Sequence, residues 1–115
     1  LCNMSTPAVK KDGEWYIAFA TMIRFAGGED IREKGKVTLK LYGHEVTFTE
    51  GSRIAQTENG DFDLGAEVFR GNEGQLYMPV DGACKAFKMK WAYAARNNFI
   101  TIEHVSENHP IVPQP

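Results

Sequence analysis

Cysteine is scarce in this 115-residue chain: Cys2 and Cys84 are the only two. Two thiols cannot build a disulfide scaffold. A chain of this length can bury roughly two thirds of its unfolded surface, so it needs no staple or metal to fold. Cys84 lies among Ala83, Ala86 and Phe87 and reads as a small buried hydrophobe. A bridge to Cys2 would require the first residues to fold back. Long apolar runs are missing as well. None approaches the roughly 20 residues of a membrane-crossing helix, so no membrane span is expected. Neither sign of charge dominates: Lys and Arg number 13, Asp and Glu 15, and the formal net charge is −2. The basic residues are scattered, which disfavours nucleic acid and anionic membrane as partners. The three histidines, His44, His104 and His109, show no ligand spacing such as i, i+4 on a helix. No metal and no cofactor are expected.

What the chain does have is an internal echo. Lys11-Asp12-Gly13-Glu14-Trp15-Tyr16-Ile17-Ala18-Phe19 recurs in outline as Asn72-Glu73-Gly74-Gln75-Leu76-Tyr77-Met78-Pro79-Val80, and one offset of 61 separates both Gly13 from Gly74 and Tyr16 from Tyr77. Each copy reads as a turn, an apolar strand and a short helix. Units of this kind cannot bury an apolar face alone and are expected to share one core.

Turn and period signals fill in the rest. Asp12-Gly13 between apolar runs predicts a hairpin. Residues 20–26 read as a helix stopped by Gly27-Gly28, and the charged stretch 28–35 as an exposed loop. Val37, Leu39 and Leu41 alternate with polar residues, and Val46 and Phe48 continue the pattern, which predicts a hairpin with one buried face. Asn59-Gly60 predicts another turn. Asp81 is placed to cap a helix over residues 81–88. Met89, Trp91 and Tyr93 share one strand face, and Ile100 and Ile102 share another. The expectation is a small, strand-dominated α+β domain of two related β-hairpin–helix–strand units. Residues 1–6 form an N-terminal arm, 7–105 the domain and 106–115 a Pro-rich tail with linker composition.

Several of these segments together carry a family resemblance. They are Gly74-Gln75-Leu76-Tyr77-Met78-Pro79-Val80, Ala83 to Phe87, Lys90-Trp91 and Phe99-Ile100-Thr101-Ile102. The run from Val37 to Ser52 and the Asn59-Gly60 turn add to them. The chain resembles the copper amine oxidase N-terminal-like, or stalk, domain over most of residues 7–105. It departs from that pattern where the family has an arginine (here Asp81), a glycine closing the helix (Lys88) and, in the first copy, a proline (Ala18). The resemblance implies a non-catalytic accessory module of secreted or surface-attached bacterial proteins, which spaces, anchors or docks a larger protein. Its partners would be other domains of the parent protein, with cell-wall glycan or another surface protein as further candidates. Nothing in it implies oxidase chemistry. Leu1-Cys2 also resembles the end of a bacterial lipoprotein signal, without the apolar segment that would precede it.

Catalytic patterns are sparse beside this. Asp61 and Asp63 flank Phe62, but the calcium-loop pattern is incomplete. The acidic residues fall mostly in turns, where nothing separates their pKa values into an acid and a base. Cys84 has no histidine near it in sequence, and Ser5, Ser52 and Ser106 lie outside any nucleophile-elbow pattern. The remaining candidates are aromatic: Trp15, Tyr16, Tyr77, Trp91 and Tyr93. Packing in the core is their simpler role. Three or more of them exposed on one face would instead mark a carbohydrate- or peptidoglycan-binding surface, the alternative to the spacer.

Overall fold

A computed structural model describes residues 3–104. Strands β1 (Asn3–Pro7), β2 (Val9–Lys11) and β3 (Glu14–Ile17) lead into helix α1 (Phe19–Phe25). Five strands follow: β4 (Glu29–Glu33), β5 (Lys36–Leu41), β6 (His44–Thr49), β7 (Ile54–Thr57) and β8 (Gly60–Asp63). Then come β9 (Phe69–Arg70), a 3-10 turn at Asn72–Gly74, β10 (Leu76–Pro79), helix α2 (Val80–Phe87), β11 (Met89–Ala94) and β12 (Phe99–His104). The architecture is α+β with strands dominant, as the period signals require. Among the described residues no helix is long and apolar enough to cross a membrane.

The strands form three antiparallel sheets, ordered β1-β12-β11, β2-β3-β10-β9 and β4-β5-β6-β7-β8. In the central four-stranded sheet, Ile17 lies opposite Met78 and Tyr16 opposite Pro79. Both helices pack between the sheets. Phe19, at the start of α1, meets Phe87, at the end of α2, with ring centroids 5.5 Å apart. Around them Ile17, Ile23, Leu39, Val46, Phe48, Met78, Val80, Ile100 and Ile102 are buried in one contiguous core. The alternation read from Val37 to Phe48 puts Val37, Leu39, Leu41, Val46 and Phe48 on the buried face.

Local chemistry explains the tight turns. Asp12 and Gly13 adopt φ of 52° and 80°, and Glu73 and Gly74 adopt 68° and 78°. Both pairs are left-handed; Asp12-Gly13 forms the two-residue hairpin turn between β2 and β3, whose left-handed geometry matches the strand twist, and Glu73-Gly74 lies in the longer connection between β9 and β10. Helix α2 ends on Lys88 at φ 59°, a left-handed cap filled by a residue with a Cβ.

The structure departs from the sequence reading at several points. The charged segment read as a loop contains an edge strand, β4, paired along its length with β5. Its inward-facing Asp30 is satisfied by Arg24 and Arg32, and charged residues of this kind are characteristic of protected sheet edges. Residues 3–7, assigned in part to an arm, pair with β12 from Asn3 opposite Glu103 to Pro7 opposite Phe99. The helices begin one residue earlier than expected, at Phe19 and Val80. Asp81 therefore lies inside α2 and caps nothing. The residue at the cap position is Pro79, with no side-chain cap bond. The Asn59-Gly60 turn is centred one residue early, with Gly60 already paired to Thr57. Cys2, His109 and residues 106–115 lie outside the described residues.

Candidate functional site

The alternation of β3 divides the aromatic candidates between the two faces of the central sheet. Trp15 and Ile17 point inward, and Tyr16 points outward. Ile17 enters the core, while Trp15, nearer the rim, is half-buried. Trp15 stacks on Tyr93 of β11, centroids 4.4 Å apart and planes 21° from parallel. Lys10, its cross-strand neighbour, sets Nζ 5.0 Å from the Trp15 ring centre. The Tyr93 hydroxyl donates to Asn98 Oδ1 at 2.8 Å. Trp91, two residues earlier on β11, is half-buried, and its Nε1–H donates to Asp81 Oδ1 at 3.0 Å.

The outer face holds a second cluster. Phe69 sits between the two tyrosines of the echo: Tyr16 meets it edge-on at 4.8 Å and Tyr77 stacks on it at 5.4 Å. Tyr77 and Phe69 are cross-strand partners, so their contact follows from the register of β9 and β10. The Tyr77 ring also lies over Gly71, where a Cβ would stand 2.4 Å from a ring carbon. Lys11 places Nζ 4.2 Å from the Phe69 centroid, a cation–π contact.

The five aromatics thus separate into Trp15 with Tyr93, Tyr16 with Tyr77, and Trp91 on its own acceptor. The large apolar side chains most exposed among the described residues are Phe25, Ile31 and Tyr93, from three different elements. Phe69 was missed as a site residue. Its only sequence signal is its place on a short strand opposite Tyr77, and pairing of that kind is not local.

Beside the outer cluster, the β2–β3 hairpin and the loop at residues 65–67 enclose a cavity of about 370 Å³. Lys11, Asp12, Glu14, Tyr16, Glu67 and Phe69 line it. Tyr16 is only 5% exposed. Burial, then Glu14, Asp12 and Glu67, push its phenol above the ordinary tyrosine value, so the hydroxyl stays protonated at neutral pH. A larger hollow of about 460 Å³ lies between the turns at residues 26–29 and 40–45. It is a shallow saddle, walled largely by turn residues.

Several other carboxylates are engaged in surface ion pairs. Burial alone would raise Asp30, but hydrogen bonds from Arg32 and Arg24 outweigh it and hold the carboxyl below its usual range. Burial would likewise raise Glu58, but the His44 bond at 2.8 Å and two backbone N–H bonds outweigh it and hold the carboxyl below its usual range. Arg53 lowers Asp63, and Lys85 and Trp91 lower Asp81. The Cys84 thiol is pushed up to about 12 by burial and then by Asp81. Among the described residues no three His, Cys, Asp or Glu side chains converge closely enough to hold a metal ion.

Comparison with family models, curated proteins and solved structures finds no match to this chain.

Proposed function

We propose that residues 7–105 form a non-catalytic accessory module of the stalk type, made of two related β-hairpin–helix–strand units. It would work outside the cell or in its envelope as a spacer, anchor or docking domain of a larger protein. The observation that carries the reading is the register of the central sheet. Ile17 faces Met78, its own counterpart at the offset of 61. A pseudo-twofold axis through that pair would exchange β3 with β10, β2 with β9 and α1 with α2. Further support comes from backbone conformation. The left-handed pairs Asp12-Gly13 and Glu73-Gly74 keep the same offset, and so do left-handed Gly27 and Lys88 beyond the two helices. Tyr16 and Tyr77 both pack on Phe69, although Tyr16 is the more deeply buried.

The directions of the carboxyl and thiol shifts support the non-catalytic part. A general acid needs a carboxyl raised toward neutrality, whereas Asp30, Glu58, Asp63 and Asp81 are all lowered. A nucleophilic cysteine needs a lowered pKa, and Cys84 moves the other way. The extracellular placement rests on the family resemblance alone. The glycan-binding alternative has one observation in its favour, the Trp15–Tyr93 stack with Tyr93 at the surface.

The test is a survey of the purified chain against ester, glycoside, phosphate and peptide substrates, alongside retention on insoluble peptidoglycan and a glycan array. No turnover and no saturable retention are expected. Saturable retention lost in Tyr93→Ala would transfer the function to glycan binding. Turnover that copurifies with the chain and is lost on substitution of a cavity residue would overturn the reading.

A further inference from the structure

We propose that the chain associates with copies of itself head to tail, the acidic edge strand β4 of one copy adding antiparallel to the basic edge strand β11 of the next. The pairing joins the five-stranded sheet of one copy to the three-stranded sheet of its neighbour. The inference goes beyond the accessory-module reading and would hold for a chain of any activity.

The first observation concerns the two edges. β4 and β11 each lie at the end of a sheet and pair on one side only. The outward N–H and C=O groups of such an edge are a template for another strand. The remaining edges are poorer templates. β2, β8 and β9 span three, four and two residues, and β1 ends on Pro7, which has no N–H to donate. β4 has five residues and β11 has six. These two strands also carry two of the three large apolar side chains most exposed among the described residues, Ile31 at 45% and Tyr93 at 37%. The third, Phe25, ends α1, the helix packed against β4.

The second observation is charge, and it selects the occupant. Alternation puts Glu29, Ile31 and Glu33 on one exposed face of β4, and Lys90, Ala92 and Ala94 on one exposed face of β11. One antiparallel register sets Glu33 opposite Lys90, Ile31 opposite Ala92 and Glu29 opposite Ala94, with Arg96 diagonal to Glu29. On the other face the same register sets Arg32 opposite Trp91, a cation–π pair. Glu29, Glu33, Lys90 and Arg96 have no ion-pair partner among the described residues, so each can take one from a neighbouring copy. β4 set against β4 about Ile31 would instead oppose Glu29 to Glu33 twice, and like charges directly opposite are destabilising. The charge that shields this edge from its own kind therefore admits a basic one. An interface between two different surfaces of one chain is heterologous, so growth continues past two copies as a ring or an open chain.

The test is sedimentation equilibrium of the folded chain over a wide concentration range, with amide NMR shifts followed across the same range. A single strand pair buries less than the about 1,200 Å² of a standard interface, so half-association near about 1 mM is expected. The mean mass should rise with concentration past that of two copies, and the shifts should map to residues 29–33 and 89–94. Glu33→Lys and Lys90→Glu, both at exposed positions, should each weaken association about fivefold, the scale of one cross-strand charge pair reversed. An equimolar mixture of the two variants should regain association, because each then meets an edge of opposite charge. A mass that levels off at two copies, shifts confined to other strands, no rise with concentration, Glu33→Lys without effect, or no recovery in the mixture would each overturn the proposal.

Discussion

Gly82 lies in the first turn of α2, where the helix backbone presses against the loop after β8. A Cβ added there would stand 2.3 Å from the Leu64 carbonyl oxygen, 2.7 Å from its Cα and 2.8 Å from its carbonyl carbon. All three atoms are backbone, so no rotamer change relieves the overlap. Leu64 is itself anchored, with its side chain 4% exposed and its N–H bonded to the Arg53 carbonyl at 2.7 Å. In an open helix Gly→Ala would stabilise by about 1 kcal/mol. Here helix and loop must separate by about 1 Å to restore ordinary contact, and overpacking of that kind costs about 1–3 kcal/mol. The clash should win, leaving Gly82→Ala less stable by up to about 2 kcal/mol. Urea unfolding followed by far-UV circular dichroism should show the midpoint falling by about 1 M at an unchanged slope. Leu64→Ala loosens the loop anchor, so the double mutant should be less destabilised than the sum of the two single changes. A midpoint that rises in Gly82→Ala, or strict additivity with Leu64→Ala, would refute the close approach of α2 to this loop.

Other expectations follow from single contacts. Lys88→Gly should raise the urea midpoint, because relieving a left-handed residue of its Cβ gains about 1–2 kcal/mol, of which added unfolded-state freedom removes about half. Asp81→Ala should cost about 1 kcal/mol by stranding the Trp91 indole N–H, while Asp81→Asn, whose Oδ1 still accepts it, should recover most of the loss in the same assay. Little of either effect should come from the exposed Lys85–Asp81 pair. Stability should also fall at both pH extremes. Asp30, Glu58 and Asp81 titrate lower folded than unfolded, so their contribution is complete above their unfolded values of 3.8 (Asp) and 4.5 (Glu) and is lost as pH drops through their folded values. Cys84 is raised from 9.0 to about 12, so its contribution is complete below pH 9.0 and is lost between there and about 12. Thermal melts across that alkaline range should be flatter in Cys84→Ala than in the parent chain.

Much of the fold was legible because local signals and the global pattern agree. Val37, Leu39 and Leu41 alternate over a length only a half-buried strand would use, and Asp12-Gly13 supplies the backbone that its hairpin requires. β4 was hidden for the opposite reason. Its sequence, Glu-Asp-Ile-Arg-Glu, is what protects an edge, and the same composition marks a solvated loop. The pairing of β1 was equally invisible, since Asn3 and Glu103 meet across the full length of the domain. The aromatic candidates were identified residue by residue, but their grouping depends on cross-strand register. Phe69 gains its place only because β9 lies beside β10, and the cavity exists only where a hairpin meets a distant loop.

The antiparallel ladder of β1 and β12 has a mechanical consequence. Asn3 and Glu103 face each other at its outer end, and paired Cα atoms in such ladders lie about 5 Å apart. Tension applied through those two residues would open the ladder one rung at a time, like a zipper, rather than load all its hydrogen bonds in parallel. A domain tethered this way projects sideways from a polypeptide, as an insert does, and yields early under a pull. The same adjacency makes a circular permutant that joins the two strands by a short turn, with new ends placed in an exposed loop, a reasonable route to a sturdier version of the domain.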